Sequence, residues 1–136
     1  MHPDLIEALQ TWVRKAENDL EAARRILGAE EGCPYDTVCF HCQQAAEKYM
    51  KALLTMLGIQ APRTHHLGKL LLLVPEEVRP PVDPEEISKL NPYAVDVRYA
   101  DDLREPQRSD ALRSLKLAGI VRADARRRLP PEALPS

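Results

Sequence analysis

The chain has 136 residues, 44% of them hydrophobic, a formal charge of −2 and an isoelectric point near 6.1. That is the length of one ordinary domain with enough apolar content for a core, which argues against disorder throughout. The charge gives no global pull toward nucleic acid or membrane, and no apolar run approaches the roughly 20 residues of a membrane helix.

The N-terminal MHPDLIEAL lacks a basic start followed by an apolar run, so no secretory signal is expected, and the expected location is cytoplasmic. Three cysteines, an odd count, suit free thiols in a reducing compartment. Aromatics are only 4%, so aliphatic packing must dominate.

The first predicted helix spans residues 4–27. Leu5, Leu9, Trp12, Ala16, Leu20, Ala23 and Leu27 hold one face, while Arg14, Lys15, Glu17, Asn18, Glu21 and Arg25 cover the other. GAEEGCPYD is then a short polar turn, which predicts antiparallel packing of the helices it joins. The central helix covers residues 36–58, with Asp36 as the expected N-cap and Gly58 as the expected left-handed stop. Val38, Cys42, Ala45, Ala46, Tyr49, Leu53 and Leu57 share its apolar face. His41, Gln44, Lys48 and Lys51 form a neighbouring polar strip, and Glu47 precedes Lys51 by one turn, the favourable order for an ion pair.

After the IQAPR linker, Thr64 is the expected cap of a short third helix that buries Leu67, Leu70, Leu71 and Val74. The proline-rich PEEVRPPVDP is a surface loop. Asp83, Pro84, Glu85 and Glu86 then announce a brief fourth helix by cap, proline and acidic first turn. YAVDVRYADDL reads equally as a turn of helix or an extended loop. The last helix runs roughly from Ser109 to Leu129 on a stripe of Ala111, Leu115, Ala118, Val121, Ala125 and Leu129. No strand pattern or repeat is visible. The fold class is all-α, an up-and-down antiparallel helical bundle of about five helices over residues 1–129, with 130–136 as a flexible tail.

Several residues invite chemistry. Cys39 and Cys42 have dithiol spacing, and with His65 or His66 they offer zinc ligands; the blander reading makes them small core residues. Arg63, Thr64, His65 and His66 could line a phosphate site or simply cap a helix. Asp96, Arg98 and Tyr99 are suited to hold a phosphate and stack a base, or else Arg98 ties Asp96 or Glu47 in a structural ion pair. Residues 104–136 hold eight Lys/Arg against four Asp/Glu, yet no aromatic interleaves them, which favours a solvated helix end over an RNA contact.

The set FHCQQAAEKYMKALLTMLG, THHLGKLL and VRYADDL resembles the HEPN domain family, prokaryotic nucleotide-binding helical domains. Phe40, His41, Gln43, Gln44, Ala45, Ala46, Glu47, Lys48, Lys51, Ala52, Leu53 and Leu54 match its central helix. Thr64, His65 and Leu67 match its T-H-x-L, and Arg98 with Tyr99 its R-Y pair. WVRKAENDLEAARRIL is similar to its first helix. The resemblance implies a helical bundle, commonly a homodimer, and often a minimal nucleotidyltransferase partner in a toxin–antitoxin-like pair. Several branches are metal-independent ribonucleases whose Arg is followed by a His; no histidine follows Arg98 here, and Arg63 precedes His65 and His66 too closely, so that motif is absent.

The expected function is a nucleotide-binding homodimer acting with such a partner. Its candidate ligand residues are His41, Lys48, Lys51, His65, Asp96, Arg98 and Tyr99. Lys48, Lys51 and Arg98 would contact phosphate, Tyr99 would stack, and His65 would orient phosphate. No cofactor, metal or catalytic residue is expected. The alternatives are a divergent metal-independent ribonuclease and a purely structural interaction module without a ligand.

Overall fold

Two long helices set the frame of the structure, a computed structural model that describes residues 1–29, 31–94 and 105–135. Helix α1 (Pro3–Leu27) begins at His2, whose Nδ1 accepts from the Asp4 amide at 3.1 Å, with Pro3 in the first turn. Leu9, Val13, Ala16, Leu20 and Ala23 are fully buried along it at three- and four-residue steps. Asp19 falls in the same phase and is buried too.

Helix α2 (Tyr35–Met56) lies against α1, and the polar turn between them makes the pair antiparallel. Asp36 is not its N-cap. Pro34 holds the cap position in extended conformation, and Asp36 is the second helical residue, where its carboxylate accepts from the Thr37 amide at 2.9 Å. Pro34 has no amide to satisfy and a fixed φ, so the helix starts beyond it, and Asp36 still faces the positive end of the dipole. The stop is the expected one. Gly58 has φ +73°, its N–H donates to Thr55 O, and the Ile59 N–H donates to Leu54 O at 2.9 Å. These paired bonds satisfy the last carbonyls of α2 as a Schellman motif. Leu57 sits at the cap and is exposed rather than in the apolar face.

The chain then runs back along α2 to α3 (Leu67–Leu73), whose Leu67, Leu70 and Leu71 are fully buried, as is the following Val74. Its cap is His66, not Thr64: His66 Nδ1 accepts from the Lys69 amide at 3.2 Å, while Thr64 Oγ1 accepts from the His66 amide just before it. Side-chain acceptors two residues apart compete for the same orphan amides, and the nearer one takes the cap. Helix α4 (Pro84–Ser88) starts as expected, with Asp83 accepting from Glu85 and Glu86 amides. It packs so closely on α3 that a Cβ on Gly68 would come within 2.3 Å of Ser88 Oγ and 3.2 Å of Pro84 O. The 3-10 turn Asn91–Ala94 rests on α2, and Asn91 Oδ1 accepts from the Leu67 amide at 2.9 Å.

This excursion returns the chain to the beginning of α2. Helix α5 (Arg108–Arg128) opens with the Asp110 carboxylate accepting from the Gln107 amide at 2.8 Å. Ser114 lies beside Cys39 near the start of both helices, and Arg122 lies farther along, at the level of Tyr49. Helix α5 therefore runs parallel to α2, while α1 runs antiparallel to α2. Tyr49, Met50, Leu53 and Leu54 of α2 form the centre of an otherwise aliphatic core; each such buried side chain contributes about 1.5–3 kcal/mol. The C-terminal stretch, expected to be loose, carries a 3-10 turn Pro131–Ala133 against α1; Ala133 is buried and Gln10 Nε2 donates to Glu132 O at 2.8 Å. Among the described residues the structure is all-α, with five α-helices and no strand, and no helix is long and apolar enough to cross a membrane.

Candidate functional site

The polar strip of α2 is organised by two carboxylates, Asp19 and the Glu47 that pairs with Lys51 as its spacing predicts. A buried carboxylate costs several kcal/mol unless it is paired and hydrogen-bonded, and both are. Asp19, from α1, accepts from Lys48 Nζ through Oδ2 and lies 2.8 Å from His41 Nδ1 through Oδ1. The His41 ring also meets the Phe40 ring edge-on, at 5.2 Å between centroids.

Glu47, from α2 itself, has a side chain only 6% exposed. Its Oε1 lies 2.7 Å from His65 Nδ1 and accepts from Gln43 Nε2 at 3.2 Å; its Oε2 accepts from Lys51 Nζ at 3.1 Å. Gln43 is fully buried, and its Nε2 also donates to His65 O at 3.1 Å, fixing the loop before α3 to the helix. Gln44 Nε2 donates in turn to Gln43 Oε1 at 2.6 Å. Lys51 Nζ stands 5.9 Å over the Trp12 ring, within cation–π range. Burial pushes the Glu47 carboxyl up, but hydrogen bonds from His65, Gln43 and Lys51 and the charge of Lys51 outweigh it and hold the pKa below the usual carboxylate value.

Four of the expected ligand residues thus come together on one strip: His41, Lys48, Lys51 and His65. Both lysines are already engaged by carboxylates and mostly covered. His65 differs, with a side chain 59% exposed. Its neighbour His66 points elsewhere, into a groove of about 350 Å³ lined also by Gly68, Lys69, Leu72, Pro84 and Ser88. Asp96, Arg98 and Tyr99 lie outside the described residues. The segment that holds them follows directly on the turn Asn91–Ala94, which is pinned beside His66 by the Asn91–Leu67 bond.

Asp19, Gln43 and Glu47 were missed as site residues, although the signal was present. Asp19 shares the i, i+3, i+4 phase of Ala16, Leu20 and Ala23, and Gln43 and Glu47 fall in register with Cys39 and Met50. Polar groups inside an apolar phase must find buried partners; among the described residues no buried side-chain polar atom lacks one.

A second ionic cluster lies on the α5 side of α2. Glu17, expected on the solvent face of α1, accepts from Tyr49 OH, from Arg122 Nε at 2.7 Å and from Arg126 Nη1 at 3.4 Å. Burial raises the Glu17 carboxyl, but the bonds from Arg122 and Tyr49 and the two guanidinium charges leave it lowered. Burial and the bond to Glu17 push the Tyr49 phenol up to about 12.

The cysteines belong to the core. Cys39 and Cys42 are fully buried, and burial beside Cys39 pushes the Cys42 thiol up to about 12, the opposite of a reactive dithiol. Among the described residues no three His, Cys, Asp or Glu side chains are grouped to hold a metal ion.

The HEPN domain family model matches residues 9–128. No curated protein matches the chain. Among solved structures, TT1696 from Thermus thermophilus is 30% identical with a TM-score of 0.75, covering 89% of this chain and 98% of its own. ST0689, described as an archaeal HEPN homologue, is 27% identical with a TM-score of 0.68, covering 88% of this chain and 96% of its own. With the family match spanning α1 to the end of α5, the chain belongs to the HEPN domain family.

Proposed function

We propose that the α2 strip is a nucleotide-binding surface, with His65 as its exposed contact and Arg98 and Tyr99 as its phosphate and base contacts from the adjoining segment. The observation that carries this reading is the contrast in exposure within one hydrogen-bonded set. Glu47, Gln43 and Lys51 are covered and mutually satisfied, and they hold up one exposed imidazole. Lys48 and Lys51 act here as ion-pair partners of two covered carboxylates, more than as phosphate contacts. As the family resemblance implies, the protein would work as a cytoplasmic homodimer beside a minimal nucleotidyltransferase in a toxin–antitoxin-like pair. Thermal unfolding with each of the four ribonucleoside triphosphates tests the binding. At a hundredfold excess over its dissociation constant, a bound nucleotide adds about 2.7 kcal/mol of stability, and no change with any of the four contradicts the reading. An affinity pull-down from native extract tests the partner: a small nucleotidyltransferase in near-equal amount supports it, and recovery of the protein alone counts against it.

One observation favours a second reading, a metal-independent ribonuclease. A carboxylate-anchored imidazole is the arrangement of a general acid or base, and the strip holds two, Asp19–His41 and Glu47–His65. RNA cleaved in the presence of a chelator, and left intact by His65→Ala, would support it; RNA intact after prolonged incubation would remove it.

A further inference from the structure

The hydrogen-bonding state of His65 follows from its partners. An ionised carboxylate can only accept, and Glu47 is kept ionised by His65 itself, Gln43 and Lys51. At 2.7 Å from Glu47 Oε1, His65 Nδ1 therefore carries the proton. In its neutral form, the form to be tested above the ordinary histidine range, an imidazole has one N–H, so Nε2 is left with a lone pair. The side chain is 59% exposed, and no hydrogen bond from a described residue reaches Nε2. The main chain of His65 cannot swing the ring away, because its carbonyl is held by the buried amide of Gln43.

An acceptor of this kind does not suit a phosphate oxygen, which also accepts. It suits a donor, and the donors on a nucleotide's sugar are its hydroxyl groups. We infer that His65 Nε2 accepts a hydrogen bond from a ribose hydroxyl, making His65 the residue that selects ribonucleotides over sugars lacking hydroxyls. This rests on the nucleotide-binding reading of the strip and changes the role of His65 within it, from orienting phosphate to reading the sugar. The phosphate is left to cations beyond the strip's paired lysines.

Two measurements separate this inference from the reading beneath it. The first needs no ligand. Long-range proton–nitrogen NMR correlations of the free protein at about pH 8, above the ordinary histidine range, report which ring nitrogen carries the proton. The expected result is Nδ1–H on His65; Nε2–H would overturn the inference whatever the protein binds. The second is calorimetric titration with each ribonucleoside triphosphate and its 2′,3′-dideoxy counterpart. The ribonucleotide is expected to bind about tenfold more tightly, the effect of one hydrogen bond that leaves a polar partner unpaired when lost. His65→Ala, an exposed truncation that leaves the core intact, is expected to erase that ratio. Equal binding of the two sugars by the unmodified protein would overturn the sugar role while leaving nucleotide binding standing. Binding of neither would overturn both.

Discussion

On the α5 side of α2, Glu17 collects a phenol and two guanidinium groups from two other helices, and the side chains that supply them are all mostly covered. On the α3 side, Glu47 collects a lysine, an amide and an imidazole, and the imidazole stands mostly in solvent. The carboxylate with the exposed partner is the more deeply buried of the two, with 6% of its side chain exposed against 23% for Glu17. A cluster that only joins helices has no need for a fully desolvated centre, since surface-screened pairs hold α1 and α5 at modest cost. Burying Glu47 instead fixes its geometry and its charge, and so fixes the tautomer and direction of the ring it holds. The two clusters are alike in composition and differ in what they leave exposed.

Substitutions sort the two regions by size of effect. Glu47→Ala is expected to cost the most, about 3 kcal/mol, because it strands Lys51 and Gln43 in a covered site; urea unfolding measures it. Glu17→Ala should cost less, about 2 kcal/mol, since Arg122 and Arg126 can turn to water. A larger loss at Glu17 than at Glu47 would reverse the assignment of which cluster is desolvated. Both carboxyls are lowered in the folded protein from an ordinary value of 4.5, so the unfolded chain binds more protons as pH falls below that value. Their stabilisation is present above pH 4.5 and is lost as the pH falls through the folded values. Replacing either by Gln should flatten the acid limb of a stability–pH curve.

Tyr49→Phe removes one hydrogen bond to Glu17 and should cost about 1 kcal/mol. It also tests the alkaline limb. The phenol is raised from 10 to about 12 on folding, so its contribution is full below pH 10 and disappears between 10 and 12. Titrated by denaturant unfolding, the Phe variant should lack that loss. His65→Ala also removes one hydrogen bond to a carboxylate, the buried Glu47, and should cost about 1 kcal/mol as well, with Gln43 and Lys51 still bonded to Glu47; unlike Tyr49→Phe it comes first in its effect on ligand binding. If it left ligand binding unchanged, the imidazole would be a structural tie like its counterpart.

The helices were legible because they are signalled locally. The three- and four-residue spacing of Leu9, Ala16 and Leu20, or of Leu67, Leu70 and Leu71, needs no knowledge of the fold, and Gly58 and Asp83 mark ends by their own chemistry. Cap positions at Asp36 and Thr64 were off by two residues, the first because Pro34 sets where the helix can begin and the second because His66 competes for the same amides. Four of the candidate ligand residues fell on one strip because helix spacing placed three of them and the T-H-x-L match placed His65. Their partners were harder to see. Glu47 and His65 are separated by 18 residues and Asp19 and Lys48 by 29, and no periodicity within one helix reports which side chain of another segment faces it. The spacing of Glu47 to Lys51 marked one ion pair, and beyond it only the misfit of Asp19, Gln43 and Glu47 in apolar phases pointed to buried partners.

That two similar clusters do different work is tested most directly by one experiment. Thermal unfolding would be followed with and without saturating ribonucleoside triphosphate for the unmodified protein, Tyr49→Phe and His65→Ala. The nucleotide is expected to raise the melting temperature of the first two equally, the Phe variant from a lower starting point, while His65→Ala starts from a similarly lowered point and gains little. A nucleotide shift that survives His65→Ala intact, or that is absent from all three, would contradict the division of labour between the clusters.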